Sequence, residues 1–407
     1  MRVLFLDAYF YPEQIAFSHL EKDLIEGFIN SGHRIEVLCP VPTRGIDYEL
    51  VRKYKKIKEE NLFNNCVHVT RFSAPQEEKN PLIRALRYFW CNLRTYQIGI
   101  RYKEIDAVFS NSTPPTQGWI AGKVAKRLKV PFVYSLQDIF PDSLVTTGLT
   151  KKDSLLWKIG RRLEKATYKL CTHIIVISKS MKENLVLKGV DEHKVDIVSN
   201  WIDPKEIHPV EREQNALFDE FGISRNKFVV LYAGNFGAAQ GAEIVLDVAE
   251  RLRSINTIQF VIFGGGSGFP LVEQRAKNYP NVFIHKLLPQ DRVSEVYSMG
   301  DLALITCKKG VGKSGMPSKT WNIMACNTPI IASFDKDSEL NDVLINSGLG
   351  YCIEPENCDE LEKAIFSYFQ EKADKTGVSN YIQDNASKTK CVGRILSIFE
   401  NVVNSYE

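Results

Sequence analysis

KFVVLYAGNFGAAQG, residues 227–241, starts a second round of a pattern that the chain has already completed once. After Lys227, residues 228–233 are β-branched, aromatic and apolar, the composition of a buried strand. The Gly and Asn residues behind them mark a loop at its end. Upstream, runs of the same kind fall at 3–6, 35–39, 67–71, 107–110, 132–135 and 173–177. They alternate with stretches of helical period at 19–31, 81–103, 116–129, 152–171 and 179–188. Downstream, further strand runs follow at 259–263, 282–285, 302–306 and 329–333. Such alternation predicts an α/β protein with open parallel sheets covered by helices on both faces. The restart at residue 227 predicts two of them, Rossmann-like domains over 1–200 and 201–375. A helical tail over 376–407 is expected to pack back on the first domain. VSNWIDPKEIHPVEREQ (198–214), with its prolines and charges, reads as the linker. Ligands of such sheets sit outside the carboxyl ends of the strands, so the expected site lies in a cleft between the domains.

A chain of 407 residues is too long for one core, and 44% hydrophobic with 25% charged residues is a globular balance. The nine cysteines are scattered without a C-x-x-C pair, which reads as reduced thiols. MRVLFLDAYFYPE at the start reads as a first strand rather than a leader, and no uncharged apolar stretch reaches the ~18 residues of a membrane span. Charge is uneven: residues 1–200 carry +9 and residues 201–407 carry −6. The halves are therefore expected to face different partners.

Three strand-end loops in the second half carry chemistry. AGNFGAAQG (233–241) brings Asn235, Phe236 and Gly237; FGGGSGF (263–269) brings Gly264 and Gly265; KSGMPSKTWNIMACNTPIIAS (313–333) reads as loop, helix from about Pro317, then strand. Ser318, Lys319 and Thr320 crowd the first turn of that helix, where outward N–H groups and the helix dipole favour an anion. Glycines let a backbone approach a phosphate closely, so a nucleotide diphosphate is the expected ligand. GVGKS (310–314) imitates the end of a P-loop, but Cys307 stands where the first glycine belongs and Pro317 interrupts the helix. In the first half, SLQDIFPDS (135–143) puts Asp138 at a strand end, facing the cleft or capping a turn. SNSTPPTQG (110–118) is either a second binding loop or a proline-stiffened turn. The seven histidines have no metal-ligand spacing. Asp335-Lys336-Asp337 has D-x-D spacing but reads as a solvated loop.

KNPLIRALRYFWCNLRTYQIGIRYK (79–103) places Leu82, Leu86, Phe89, Trp90, Leu93 and Ile100 at helical spacing, with Arg84, Arg87, Arg94, Arg101 and Lys103 between them. Two readings stay open: a core helix with a solvated basic edge, or a helix on an anionic membrane surface touched by Arg84, Arg87, Trp90 and Arg94.

With YFYPEQIAFSHLEKDLIEGFINSGHRIEVLCP (9–40), VSNWIDPKEIHP (198–209), LYAGNFGAAQG and GMPSKTWNIMACNTPIIASFDKDSEL (315–340) added, the chain resembles retaining nucleoside-diphosphate-sugar glycosyltransferases of the GT-B fold, family four. The similarity is to the bacterial O-antigen, capsule and exopolysaccharide branch, which includes N-acetyl-L-fucosamine transferases. It implies transfer of an N-acetylated amino or deoxyamino hexose from a UDP-linked donor to a polyprenyl-diphosphate-linked saccharide. The place implied is the inner face of the cytoplasmic membrane, with no nucleic acid, metal or other cofactor. On that resemblance Lys319 would stabilise the diphosphate and Asp138 would face the sugar or acceptor. Asn322 would approach the sugar or ribose, Glu339 would take the ribose hydroxyls, and Leu287 and Leu288 would bracket the base. Glu13, Gln14, Ala16, Thr113 and Pro114 would line the acceptor side.

The chain also departs from the family pattern. The usual E-x7-E pair falls on Ser314 and Asn322, the usual Arg and Lys fall near Asn235 and Gln240, and the Gly-Gly of the first loop is replaced within 14–16. These departures keep two rivals open. A nucleotide-sugar 2-epimerase would act on the donor alone, and a non-catalytic binding protein would bind nucleotide without turnover.

Overall fold

The computed structural model describes residues 1–13, 18–77, 80–146, 149–312, 316–371 and 378–406. The chain divides into two compact units, Met1–Val198 with Cys391–Glu407, and Ser199–Lys390.

The first unit runs β1 (Arg2–Leu6), α1 (Ser18–Asn30), β2 (Arg34–Pro40), α2 (Tyr48–Tyr54), β3 (Glu59–Leu62), β4 (Val67–Phe72), α3 (Pro81–Gly99), β5 (Ala107–Asn111), α4 (Gln117–Leu128), β6 (Phe132–Leu136), α5 (Asp142–Thr146), α6 (Leu155–Leu170), β7 (His173–Val176), α7 (Lys179–Leu187) and β8 (Val195–Ile197). Its sheet has the order β3-β4-β2-β1-β5-β6-β7-β8. Every pairing is parallel except β3 on β4. β1 and β6 are almost wholly buried, as strands covered on both faces must be, which is why they read as unbroken apolar runs. β3 escaped the sequence reading because EENL is polar and half exposed at the sheet edge. The chain reverses its direction of travel across the sheet at β1, which lies between β2 and β5.

The second unit runs α8 (Leu217–Glu220), β9 (Phe228–Asn235), α9 (Ile244–Arg251), β10 (Ile258–Gly265), α10 (Phe269–Ala276), β11 (Val282–Lys286), α11 (Val293–Ser298), β12 (Leu302–Thr306), α12 (Lys319–Ala325), β13 (Ile330–Ser333), α13 (Glu339–Ser347), β14 (Gly350–Ile353), α14 (Cys358–Glu371) and α15 (Val378–Asn385). Its strand order, β11-β10-β9-β12-β13-β14, is parallel throughout. Here the reversal falls at β9, between β10 and β12. Two open parallel α/β sheets are therefore present, as the alternation of strand and helix patterns predicts.

Residues 199–214, expected as a linker, are built into the second unit. Trp201 and Ile202 are buried, and Ile202 exchanges backbone hydrogen bonds with Ala386 and Lys388 at 3.0 and 2.8 Å. Arg212 clasps the Asp301 carboxylate at 2.9 Å and the Lys227 carbonyl at 2.6 Å. The tail is divided as well. α15 stays with the second unit, whereas most of α16 (Lys388–Asn404) joins the first. Phe399 of α16 is fully buried and meets Phe28 edge-on at 4.9 Å. Gly27 makes that approach possible, since a Cβ there would fall 2.3 Å from Val392.

Candidate functional site

The loops of the second unit gather at its reversal point. β9 ends on Tyr232-Ala233-Gly234-Asn235, and the buried Tyr232 donates its hydroxyl to the Asn235 carbonyl at 3.0 Å. Lys319, the first residue of α12, lays its ammonium over the Tyr232 ring, 4.4 Å from the centroid, and donates to the Ala233 carbonyl at 3.2 Å. Gly234 leaves room for it, because a Cβ there would stand 2.8 Å from Nζ. One carbonyl and one ring face are poor compensation for a desolvated ammonium. Burial pushes the Lys319 pKa down to about 8, with no carboxylate opposing the shift. A cation in that condition gains most from an anion that can reach it.

The glycine loops are tied to one another. Phe236 N–H donates to the Gly265 carbonyl at 2.7 Å, and Gly268 N–H donates to the Phe236 carbonyl at 2.8 Å. Gly266, at φ +97°, sits so close to Asn235 that a Cβ would fall 1.8 Å from Oδ1. Leu287 N–H donates to the Gly264 carbonyl at 3.0 Å, and the Leu287 side chain is half exposed beside Gly265. The third loop joins the first through Lys308 N–H and the Ala239 carbonyl at 3.0 Å. Asn235, Gly264, Gly265, Leu287 and Lys319 thus belong to one connected surface.

Other expected residues are placed differently. The Phe236 side chain is buried against Tyr232 and Phe269, so only its backbone belongs to the loops. Leu288 packs partly buried against the core, leaving Leu287 as the exposed one of the pair. Thr320 is wholly buried, with no partner for its hydroxyl among the described residues, whereas Ser318 is exposed and makes no side-chain cap bond. α12 begins at Lys319 rather than Pro317 and has only 7 residues, and Thr320 N–H already donates to the Pro317 carbonyl. The positive end expected from a helix dipole is therefore carried mainly by the Lys319 side chain. Asn322 lies half-buried one turn on, and Glu339 opens α13 behind the Ser338 cap. Ser314 lies outside the described residues.

Asp335 corrects the solvated-loop reading. It is buried, and its carboxylate accepts N–H bonds from Gly310 and Gly312, each at 2.9 Å, so that it braces the third loop. Among the described residues no three His, Cys, Asp or Glu side chains form a group that could hold a metal ion.

In the first unit Glu13 is buried, and its carboxylate accepts the N–H groups of Thr43, Arg44 and Phe10 at 2.7, 2.9 and 3.2 Å. It frames the loops after β1 and β2, where the sequence reading placed an acceptor contact. Gln14 and Ala16 lie outside the described residues. Thr113 N–H is held by Asn111 Oδ1 at 3.1 Å, and Pro114 is buried behind it. Asp138 stands beyond the end of β6, and desolvation raises its carboxyl pKa against hydrogen bonds from Ser143 and the Ile139 amide. Reasoning from motifs missed Asp7 at the reversal point. It is buried and accepts from Asn111 Nδ2 at 2.8 Å, and burial raises its pKa and that of its neighbour Glu21. Motif reasoning missed Tyr232 too; an aromatic residue two places before a strand-end glycine was the available signal.

α3 packs Cys91, Tyr96 and Ile98 on the core but departs from its core-helix reading at Arg87 and along one apolar face. Arg87 is buried, donating to the Pro75 carbonyl at 3.0 Å and to Thr43 Oγ1 at 3.1 Å. Arg84 pairs with Glu77 at 3.5 Å. Arg87 thus has no access to a membrane, being buried beside Glu77, whereas the Arg84 side chain stays 42% exposed. Trp90 anchors its indole N–H on the Ser73 carbonyl, and Arg94 reaches Gln97. Leu86, Phe89, Trp90 and Leu93, one face of the helix, are left exposed at 69, 69, 43 and 39%.

Comparison with known proteins meets this geometry. Residues 22–206 match the family described as Glycosyltransferase Family 4, and residues 213–388 match Glycosyl transferases group 1. "Probable glycosyltransferase WbjE" of Pseudomonas aeruginosa is 28% identical over 298 residues, 72% of this chain and 74% of that protein. "Putative colanic acid biosynthesis glycosyl transferase WcaI" of Escherichia coli is 28% identical over 57% of this chain and 58% of its own length. Among solved structures, Anabaena HepE in complex with UDP superposes with a TM-score of 0.70 at 14% identity, covering 98% of this chain and 100% of that one. The Thermosynechococcus elongatus sucrose-phosphate synthase reaches 0.75 at 13% identity, covering 100% of both. With its two sheets matched in order by these two glycosyltransferase families, which together span most of the chain, the chain belongs to the GT4 glycosyltransferases of GT-B fold.

Proposed function

We propose that this glycosyltransferase moves a sugar, with retention at the anomeric carbon, from a UDP-linked donor to a polyprenyl-diphosphate-linked saccharide in surface polysaccharide synthesis. The observation that carries the reading is the Lys319 ammonium, held over Tyr232 with no carboxylate opposing it. The relatives named for glycosyl transfer, and HepE with its bound UDP, support the donor class. The diphosphate would rest on Lys319, with Asn235 and the glycine loops near it and Leu287 flanking the base. Asn322 and Glu339 would serve the sugar and ribose. In the reaction the C1–O bond to the diphosphate breaks as the acceptor oxygen attacks the same face. The acceptor proton passes to a departing phosphate oxygen, and Lys319 stabilises the charge that builds there. Asp138 would face the sugar or acceptor.

Because Lys319 supplies a positive charge at the leaving group, transfer should need no divalent cation. Turnover of UDP-sugar with a lipid-linked acceptor is expected to persist in excess EDTA, with the product's anomeric configuration, read by NMR, matching the donor's. Loss of turnover that Mn²⁺ or Mg²⁺ restores would overturn the metal-free reaction; an inverted product would overturn retention.

The same lysine sets a pH dependence. Its free-enzyme pKa is lowered to about 8, so the charged form that a diphosphate prefers is full below that pH and lost above it. Donor KM is expected to stay flat below about pH 8 and to rise roughly tenfold per unit above it. In Lys319→Arg, which remains cationic, the rise should disappear. A flat wild-type KM up to about pH 10 would remove Lys319 from the donor site.

The membrane is the place where this acceptor would be met. The exposed Leu86-Phe89-Trp90-Leu93 stripe of α3 supports the reading, with its apolar side chains rather than its arginines entering the bilayer. No helix of the described residues is long and apolar enough to cross a membrane, so the contact proposed is peripheral.

A further inference from the structure

α6, like α3, leaves large apolar side chains in water. Ser154 caps its start by accepting from Trp157 N–H, and the helix buries Gly160, Glu164 and Thr167. Leu155, Leu156 and Ile159 face outward at 74, 52 and 52% exposure, with Leu149 nearby at 73%. Burial of such side chains is favourable, so four large aliphatic groups left in water on one short stretch call for a cover. The same exposed face continues into Arg162, Lys165 and Lys169. Residues 151–169 hold seven Lys and Arg against Asp153 and Glu164. Glu164 is taken up internally by Arg161 and by Lys188 at 2.8 Å, and Lys188 also holds Asp142 at 2.6 Å. Arg162, Lys165, Lys169 and Lys194 are left without an ion-pair partner among the described residues, along a groove of ≈ 430 Å³ between α6 and the turn at 188–194.

We propose that this face of α6 is an anionic-lipid contact. Leu155, Leu156 and Ile159 would enter the interface, and the groove with Arg162, Lys165 and Lys169 would take the phosphates of acidic headgroups. Charge complementarity selects this occupant. A second copy packed symmetrically on the face would bring its cations against an identical set. An anionic bilayer instead satisfies both the apolar start of the helix and its basic continuation. α4 packs on both α3 and α6, so the two helices lie in one layer over the first sheet. The proposal rests on the bilayer reading of α3 for its setting but assigns a different task. α3 offers apolar insertion with little lipid preference, whereas α6 reads headgroup charge.

The test is co-sedimentation of the full chain with vesicles of phosphatidylcholine alone and with phosphatidylglycerol added, over a salt series. For Arg162→Gln/Lys165→Gln/Lys169→Gln, partition onto the acidic vesicles should fall about a hundredfold at low salt, at roughly fivefold per cation, and lose most of its salt dependence. Melting curves and turnover on a detergent-solubilised acceptor should stay as in wild type. Leu155→Ser/Ile159→Ser should weaken binding to acidic vesicles without changing the salt slope. Phe89→Ser/Leu93→Ser on α3 should weaken binding to both vesicle types. Wild-type binding left unchanged by the triple glutamine variant would overturn the α6 assignment while keeping α3. Absence of wild-type binding to any vesicle would overturn both. A dimer in solution that Leu155→Ser/Ile159→Ser dissolves would make the face a contact between copies and end the lipid proposal.

Discussion

Lys319→Met should lose activity and gain stability at once. The substitution keeps the length and apolar stem of the side chain and removes the ammonium over Tyr232. Loss of one charge-assisted contact to the diphosphate, about 1.5–3 kcal/mol, corresponds to a roughly ten- to hundredfold fall in kcat/KM for the donor. Stability should move the other way. A lysine whose pKa is lowered in the folded protein binds its proton more weakly there than when unfolded, so its charge opposes folding. That opposition is full below about pH 8 and fades between about 8 and 10.5 as the group deprotonates in the folded and then in the unfolded chain. At neutral pH the methionine variant is therefore expected to melt above wild type, by an amount that shrinks toward pH 10. A lysine that only held the loops together would lower both activity and melting temperature when replaced. Calorimetry paired with donor turnover separates the two, and a folded variant with unchanged turnover would remove Lys319 from the reaction.

Asp335→Ala should be the most damaging single change to the fold around the site. The carboxylate accepts N–H bonds from Gly310 and Gly312 while buried. Its removal leaves the enclosed Gly312 N–H without an acceptor, at about 1–3 kcal/mol, while the exposed Gly310 N–H turns to water. A loss of about 1–3 kcal/mol is expected in chemical denaturation of the second unit. Turnover should fall as well, because the loop after β12 leads into the segment before Lys319. Asp337→Ala, two residues on and exposed, should stay within about 0.5 kcal/mol. Equal effects of the two substitutions, or stabilisation of wild type by Mn²⁺ that both abolish, would return the pair to a metal-binding D-x-D.

The sequence by itself was enough for the inner strands of both sheets, but not for β3, β8 and β14 at their edges. Unbroken apolar runs such as VLFL and FVVLYA can be satisfied only where both faces of a strand are covered, and their alternation with helical periods leaves a parallel sheet as the economical solution. Glycines at the strand ends likewise marked the places of closest approach, since Gly234 and Gly266 stand where a Cβ would collide with Lys319 and Asn235. What the sequence could not show was the direction in which a side chain turns once a distant partner competes for it. Arg87 of α3 read as surface charge until Glu77, Pro75 and Thr43 drew it inward, while leucine and aromatic residues of the same helix stayed outside. Asp335 read as a solvated loop because its partners, the N–H groups of Gly310 and Gly312, lie some two dozen residues away, in a loop that nothing in the sequence ties to it. Tyr232 read as one more strand residue until α12 brought the Lys319 ammonium over its ring. Periodicity is a local property and survives in the sequence, whereas the pairing of a buried charge depends on which loops the fold brings together.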